Sequence, residues 1–213
     1  MMRLMTLMMA MCCGVVANPI PVGQLDREVL EPFLPLIYEE VAKEFTLQND
    51  GRTKRMTKEY GYSFFKMIEG DRTYEAPPAF YQELGEKVCE ALGHRSAEFN
   101  NVILSLYKKG FKLEPHVDVD ASHGLGFYFD EHVYGLIIEA DKTGHLYFVV
   151  HHGALLPSLN LEPLFSLKEK QGTIFSLEGA YRHAPFYHAV TPVSNQRISI
   201  TLRTVRFVDE SLN

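Results

Sequence analysis

Residues 197–203, from Arg197 through Ile198, Ser199, Ile200, Thr201 and Leu202 to Arg203, alternate without a break between polar and aliphatic types. A period of two is the pattern of a half-buried strand, so Ile198, Ile200 and Leu202 share one face while Arg197, Ser199, Thr201 and Arg203 share the other. The aliphatic face requires a core beneath it. The opposite face aims two guanidiniums into one space, which is costly unless an anion sits there.

The rest of the chain supplies short strands to pair with this one. Val102, Leu104 and Leu106 alternate with Ile103, Ser105 and Tyr107, Lys109-Gly110 forms a turn, and residues 113–118 follow. Further strands are expected at 133–139, 145–150, 172–176 and 197–207, with longer connections at about 119–132 and 151–165. Before Phe99 the period changes to helical. Leu30, Phe33, Leu34, Ile37, Val41 and Phe45 recur at helical spacing with the main helix starting near Pro35, and Phe80, Leu84, Val88 and Leu92 make a second stripe that Gly93 ends. Between the helices, Asn49-Asp50-Gly51 marks a turn, Arg52, Lys54, Arg55 and Lys58 form a basic loop, and 60–67 reads as an aromatic strand. Many short strands after two helices predict a mostly β fold, a sandwich or jelly roll with the helices packed on one sheet.

At 213 residues, with 46% hydrophobic and 23% charged content, the chain is long enough for one domain with a sizeable core. Its formal net charge of -6 argues against a broad duplex-binding surface and leaves only a local basic rim. Residues 1–17 carry Arg3, an apolar run and Val15-Val16-Ala17, the parts of a secretory signal; an organelle leader or a misassigned start is the alternative. The run is too short to span a bilayer. The domain then occupies 18–213, in a secretory or organelle lumen if the leader acts and otherwise as a soluble intracellular protein, and a monomer is expected. Removing the leader removes Cys12 and Cys13, so Cys89 remains, beside an apolar helical stripe, as a packed thiol.

His116 and Asp118 stand two apart, so on a strand they project from the same face. With His188 arriving from a distant strand they make two imidazoles and one carboxylate, the facial set suited to non-heme Fe(II). His183 is the rival for the distal position, and His188 is preferred because residues 189–193 lead straight into the arginine strand. A small dicarboxylate beside the metal is the anion that fits the two arginines.

Residues 99–110, leading to Pro115-His116-Val117-Asp118, resemble the strand and iron motif of the AlkB family of Fe(II)/2-oxoglutarate dioxygenases, and Arg197 with Arg203 resembles that family's Arg-x5-Arg strand. Arg55, Tyr60-Gly61-Tyr62 and Pro77-Pro78 are similar to its N-terminal lid region, so the resemblance covers roughly residues 50 to 207. It implies a double-stranded β-helix, or jelly-roll, core. It also implies that His116, Asp118 and His188 bind iron, that Arg197, Arg203 and Tyr107 hold 2-oxoglutarate, and that dioxygen is the oxidant. Ser105 and Ser199 stand where the family commonly has Asn, which weakens hydrogen bonding to the co-substrate and leaves the ionic anchor.

The same resemblance implies oxidative demethylation of an N-methylated base, unpaired or flipped into the pocket. Asp120 falls where the family has a carboxylate near substrate, and Tyr60, Tyr62 and Arg55 are the candidates for stacking and phosphate contact. Two other readings stand beside it. One is a protein side-chain hydroxylase of prolyl type on the same fold, the other an inactive binding module, against which the complete ligand set argues.

Overall fold

The computed structural model describes residues 20–119, 123–143, 146–150 and 165–208. Its strands in chain order are β1 (Val22–Gln24), β2 (Thr46–Asn49), β3 (Lys54–Tyr62), β4 (Tyr74–Glu75), β5 (Asn101–Lys108), β6 (Leu113–His116), β7 (Phe127–Glu139), β8 (Leu146–Val150), β9 (Phe165–Ser166), β10 (Thr173–Leu177), β11 (Phe186–Val190) and β12 (Gln196–Phe207). The helices are α1 (Arg27–Leu30), α2 (Leu34–Val41), α3 (Phe64–Ile68) and α4 (Phe80–Leu92).

The strands form two antiparallel sheets. The major sheet runs β1-β10-β7-β12-β5-β3-β2, with β4 on β3, and the minor sheet runs β6-β11-β8-β9. β12 is central, paired to β5 on one side and β7 on the other. Its alternation sorts as the sequence requires. Ile198, Ile200 and Leu202 are fully buried with Val102, Leu104 and Leu106 in a core that α1, α2 and α4 cover. A second core, holding Tyr107, Val133, Ile137 and Phe175, lies on the other face of the same sheet, toward the minor sheet. This is a jelly roll with its helices on one sheet, the expected architecture.

Local chemistry sets the helix ends. Pro35 sits in the first turn of α2, where a missing N–H costs nothing. Gly93 closes α4 in the left-handed conformation at φ 73, with the His94 N–H donating to the Cys89 carbonyl at 2.9 Å. Cys89 is buried, and burial pushes its thiol up, so the packed-thiol expectation fits.

Two local expectations are corrected. The basic loop is the tip and start of a hairpin, β2 paired to β3, whose turn Asp50 braces by accepting from the Arg52 and Thr53 N–H groups. The strand expected at 60–67 stops at Tyr62, and Phe64–Ile68 is a helix because Glu59 accepts from the Phe64 N–H and so satisfies its N-terminus. The expected leader, residues 1–17, lies outside the described residues. Among them, no helix is long and apolar enough to cross a membrane.

Candidate metal centre

His188 on β11 lies directly across from His116 at the end of β6. Opposite residues of an antiparallel pair hold their side chains together, and here the two imidazole centroids are 4.2 Å apart. Asp118 stands two residues past the end of β6 and returns to the same point, its Oδ2 3.7 Å from His188 Nε2. One ligand atom from each of His116, Asp118 and His188 lies within 4.8 Å of the others.

The tautomers and charges suit a cation. His116 Nδ1 is 3.0 Å from the Glu114 carbonyl, which can only accept, so Nδ1 carries the proton and Nε2 keeps its lone pair. Burial pushes His116 below the ordinary imidazole range, and burial together with the neighbouring His116 and Arg203 takes His188 down to about 3. Burial alone would raise Asp118, but His188, Arg203 and His116 outweigh it and hold the carboxyl at about 2. Neutral imidazoles beside an ionised carboxylate are the state in which all three present lone pairs to a metal.

The two arginines of β12 have different partners. Arg203 is buried over the Phe129 ring at 4.0 Å, with Nε donating to Asn101 Oδ1 at 2.8 Å and Nη1 to Asp118 Oδ1 at 3.1 Å. Its Nη2 is buried with no hydrogen-bond partner among the described residues. A buried unfilled donor costs about 1–3 kcal/mol. A ligand oxygen beside Asp118 would fill it, so the site fits an anion bound next to a metal.

Arg197, six residues away, holds a carboxylate of the chain itself. Its Nε donates to Glu169 Oε2 at 2.7 Å and its Nη2 to Glu169 Oε1 at 2.6 Å, while Nη1 donates to Ser199 Oγ at 2.9 Å. Both partners are almost completely buried, at 2% and 0% side-chain exposure, so the fork is not a surface pair. Glu169 was not legible in the sequence, because nothing in 167–171 sets it apart from a surface charge. Asp141, equally unforeseen, accepts from the Ser194 and Asn195 N–H groups and pins the turn that delivers β12.

By sequence the chain matches no family model and no curated protein. By structure it is similar to OsALKBH1, with a TM-score of 0.58 at 11% identity over 88% of this chain and 100% of that one. It is also similar to an oxidoreductase of the 2OG-Fe(II) oxygenase family from Burkholderia pseudomallei (TM-score 0.53, 13% identity, covering 86% and 84%). A prolyl-4-hydroxylase from Pseudomonas putida superposes at 0.51, with 13% identity over 90% and 95% of the two chains. The chain has the AlkB-like 2-oxoglutarate/Fe(II) oxygenase fold.

In that oxygenase fold a cavity of about 70 Å³ opens between the sheets, and His116, Asp118, His188, Ser105, Tyr107, Arg197, Ser199, Arg203 and Arg55 all line it. The residues expected to meet substrate divide. Arg55 reaches the cavity, its Nε donating to Gln48 Oε1 at 2.5 Å. Tyr60 does not, and its reading as a stacking residue is corrected: it is buried in the helix-side core with its hydroxyl donating to Glu40. Tyr62 lies on the cavity side of the sheet but packs on Tyr74 and Phe207, both at 4.9 Å between centroids, and does not line the cavity. Gly61 is the cause. At φ 79 it breaks the alternation, so Tyr60 and Tyr62, two apart, face opposite cores. His183 is exposed and away from the cavity. Asp120 lies outside the described residues.

Proposed function

We propose that this protein is an Fe(II)- and 2-oxoglutarate-dependent dioxygenase that oxidatively demethylates N-methylated bases in nucleic acid. The observation that carries the reading is the donor set of half-buried His116 with buried Asp118 and His188, at a cavity whose wall also bears Arg203 and Arg197. His116, Asp118 and His188 would hold Fe(II). Bound there, the metal would couple oxidation of 2-oxoglutarate by dioxygen, to succinate and carbon dioxide, with hydroxylation of the substrate methyl group, which then leaves as formaldehyde.

The chain's own part is positioning. The Glu114 carbonyl fixes the His116 tautomer and Arg203 orients Asp118, leaving Nη2 for the end of 2-oxoglutarate nearest the metal. The distal carboxylate would be held by Arg197 and Ser199, in place of the Glu169 carboxylate that now occupies the same fork. Tyr107, 5.2 Å from the Arg197 guanidinium by its ring, walls that end of the cavity against water.

Nucleic acid is favoured as substrate by Arg55, a cation on the cavity wall able to meet a phosphate. A protein hydroxylase is the second reading, because two similar structures are prolyl hydroxylases, the second being the viral collagen prolyl hydroxylase at a TM-score of 0.50. The test is succinate formation by Fe(II)-loaded protein on admission of oxygen. Stimulation by a methylated single-stranded oligonucleotide with formaldehyde release supports the demethylase. Stimulation by a proline-rich peptide instead supports the second reading, and no succinate under either condition overturns both.

A further inference from the structure

A second group of two imidazoles and a carboxylate converges on the other face of the major sheet. Glu178 stands just past β10, and His132, on the adjacent strand β7, places its Nδ1 2.8 Å from Glu178 Oε2. His94 comes from a third element. The Gly93 cap that stops α4 sets it at the first position beyond the cap, where its Nε2 lies 3.6 Å from the same Glu178 oxygen. The two imidazole centroids are 4.6 Å apart, and one ligand atom from each of the three residues lies within 4.8 Å of the others.

We propose that His94, His132 and Glu178 form a metal site distinct from the oxygenase triad, taking a divalent transition-metal ion of the Zn²⁺ class with water completing its coordination. Two imidazoles and a carboxylate are a donor set suited to zinc. Ligand atoms at 2.0–2.2 Å around a tetrahedral ion stand roughly 3.3 Å apart, and the 2.8 and 3.6 Å separations bracket that spacing. A hydrogen-bond network accounts for less. It uses His132 Nδ1, but 3.6 Å is beyond hydrogen-bond reach and leaves the aim of His94 Nε2 unexplained.

The surroundings match a metal site in two further ways. His94 Nδ1 is 3.1 Å from the Tyr134 hydroxyl and Ser176 Oγ donates to Glu178 at 3.0 Å, outer contacts that orient ligands. His94 and His132 also line a cavity of about 540 Å³, with room for water, whose wall carries Glu98, Asp130 and Glu131 alongside Arg95 and Arg206. An ion here ties the end of α4 to the β7–β10 pair.

The experiment is zinc stoichiometry by elemental analysis on the metal-stripped full chain after loading and desalting. Glu178→Gln and His132→Ala should each carry one equivalent fewer than the wild type. The His116→Ala/His188→Ala protein should lose a separate equivalent and still give, with Co²⁺ as probe, the visible absorption of a low-coordinate site. Adding Glu178→Gln to it should abolish that absorption. Melting curves of the metal-free proteins check the fold, and His94→Asn reads the same loss should Glu178→Gln not fold. Unchanged stoichiometry in the folded variants at these positions overturns the proposal, and leaves the triad reading untouched.

Discussion

The two faces of the major sheet are built from the same strands and hold their polar groups in opposite ways. On the cavity face the polar residues belong to the strands themselves: Ser105 and Tyr107 from β5, Arg197, Ser199 and Arg203 from β12. On the helix face the strands contribute Val102, Leu104, Ile198, Ile200 and Leu202, and polar groups gather only at the margins, where helices deliver a partner. Glu40 of α2 meets Lys58 and Tyr60 of β3 at one margin, and His94 beyond α4 meets His132 and Glu178 at another. Alternation places a strand residue without knowledge of the tertiary fold, whereas a helix-delivered partner depends on docking. One face is therefore written in the local sequence and the other is not.

The largest effect expected is on the cavity face. His116→Ala or Asp118→Ala should lower succinate formation by more than about 100-fold, beyond what loss of an outer-shell partner costs. The melting temperature should change little for His116→Ala, whereas Asp118→Ala also strands the buried Arg203 guanidinium and should lower stability as well. A variant that keeps full turnover would remove the triad from the chemistry and with it the contrast between a reactive and a structural face.

Arg197 tests the same face for stability. Removing one partner of a buried ion pair strands the other, at about 3–5 kcal/mol. Arg197→Ala should therefore lose about that much in urea unfolding, since Glu169 is fully buried. Glu169→Gln separates structure from function: if 2-oxoglutarate enters by exchange, this variant binds it more tightly than the wild type in direct titration. Weaker or unchanged binding would make the pair purely structural.

These residues show where sequence reading reached and where it stopped. The triad and both arginines were legible because each lies on or beside a patterned strand. Asp118 was expected on the strand itself and instead follows it, without changing the group it joins. Glu169 and Asp141 were illegible because their burial comes from loop docking. Tyr60 misled because period two predicts that it shares a face with Tyr62, and one glycine breaks that period.

Gly61 is thus the point where β3 exchanges one face for the other. A Cβ there would lie 1.9 Å from the Asn100 carbonyl oxygen, in a left-handed conformation. Gly61→Ala should cost at least about 1–3 kcal/mol; loss of the near-ultraviolet tyrosine signal together with a lower urea midpoint reads both the strain and the displaced Tyr60 and Tyr62. A neutral substitution would mean that β3 changes face by another route.

The smallest effect lies at the helix-side margin and depends on pH. Burial acts to raise the Glu40 carboxyl, but hydrogen bonds from Lys43, Tyr60 and Lys58 overcome it, so the folded group titrates below its ordinary value. The unfolded chain, with a carboxyl near about 4.3, then takes up the proton first as pH falls. Stability from Glu40 is complete above that value and is lost as pH drops through the folded one. At neutral pH Glu40→Gln should cost about 1 kcal/mol, the typical worth of a net hydrogen bond. Under acid the protonated glutamic acid becomes a neutral near-isostere of glutamine, so the gap between wild type and variant should close. Urea unfolding of both proteins at pH 7 and at about pH 3 measures it. The acid titration of Asp118 is common to both proteins and cancels in the difference. A gap that stays constant would mean that Glu40 acts through shape rather than charge, and the helix-side margin would then be held by packing alone.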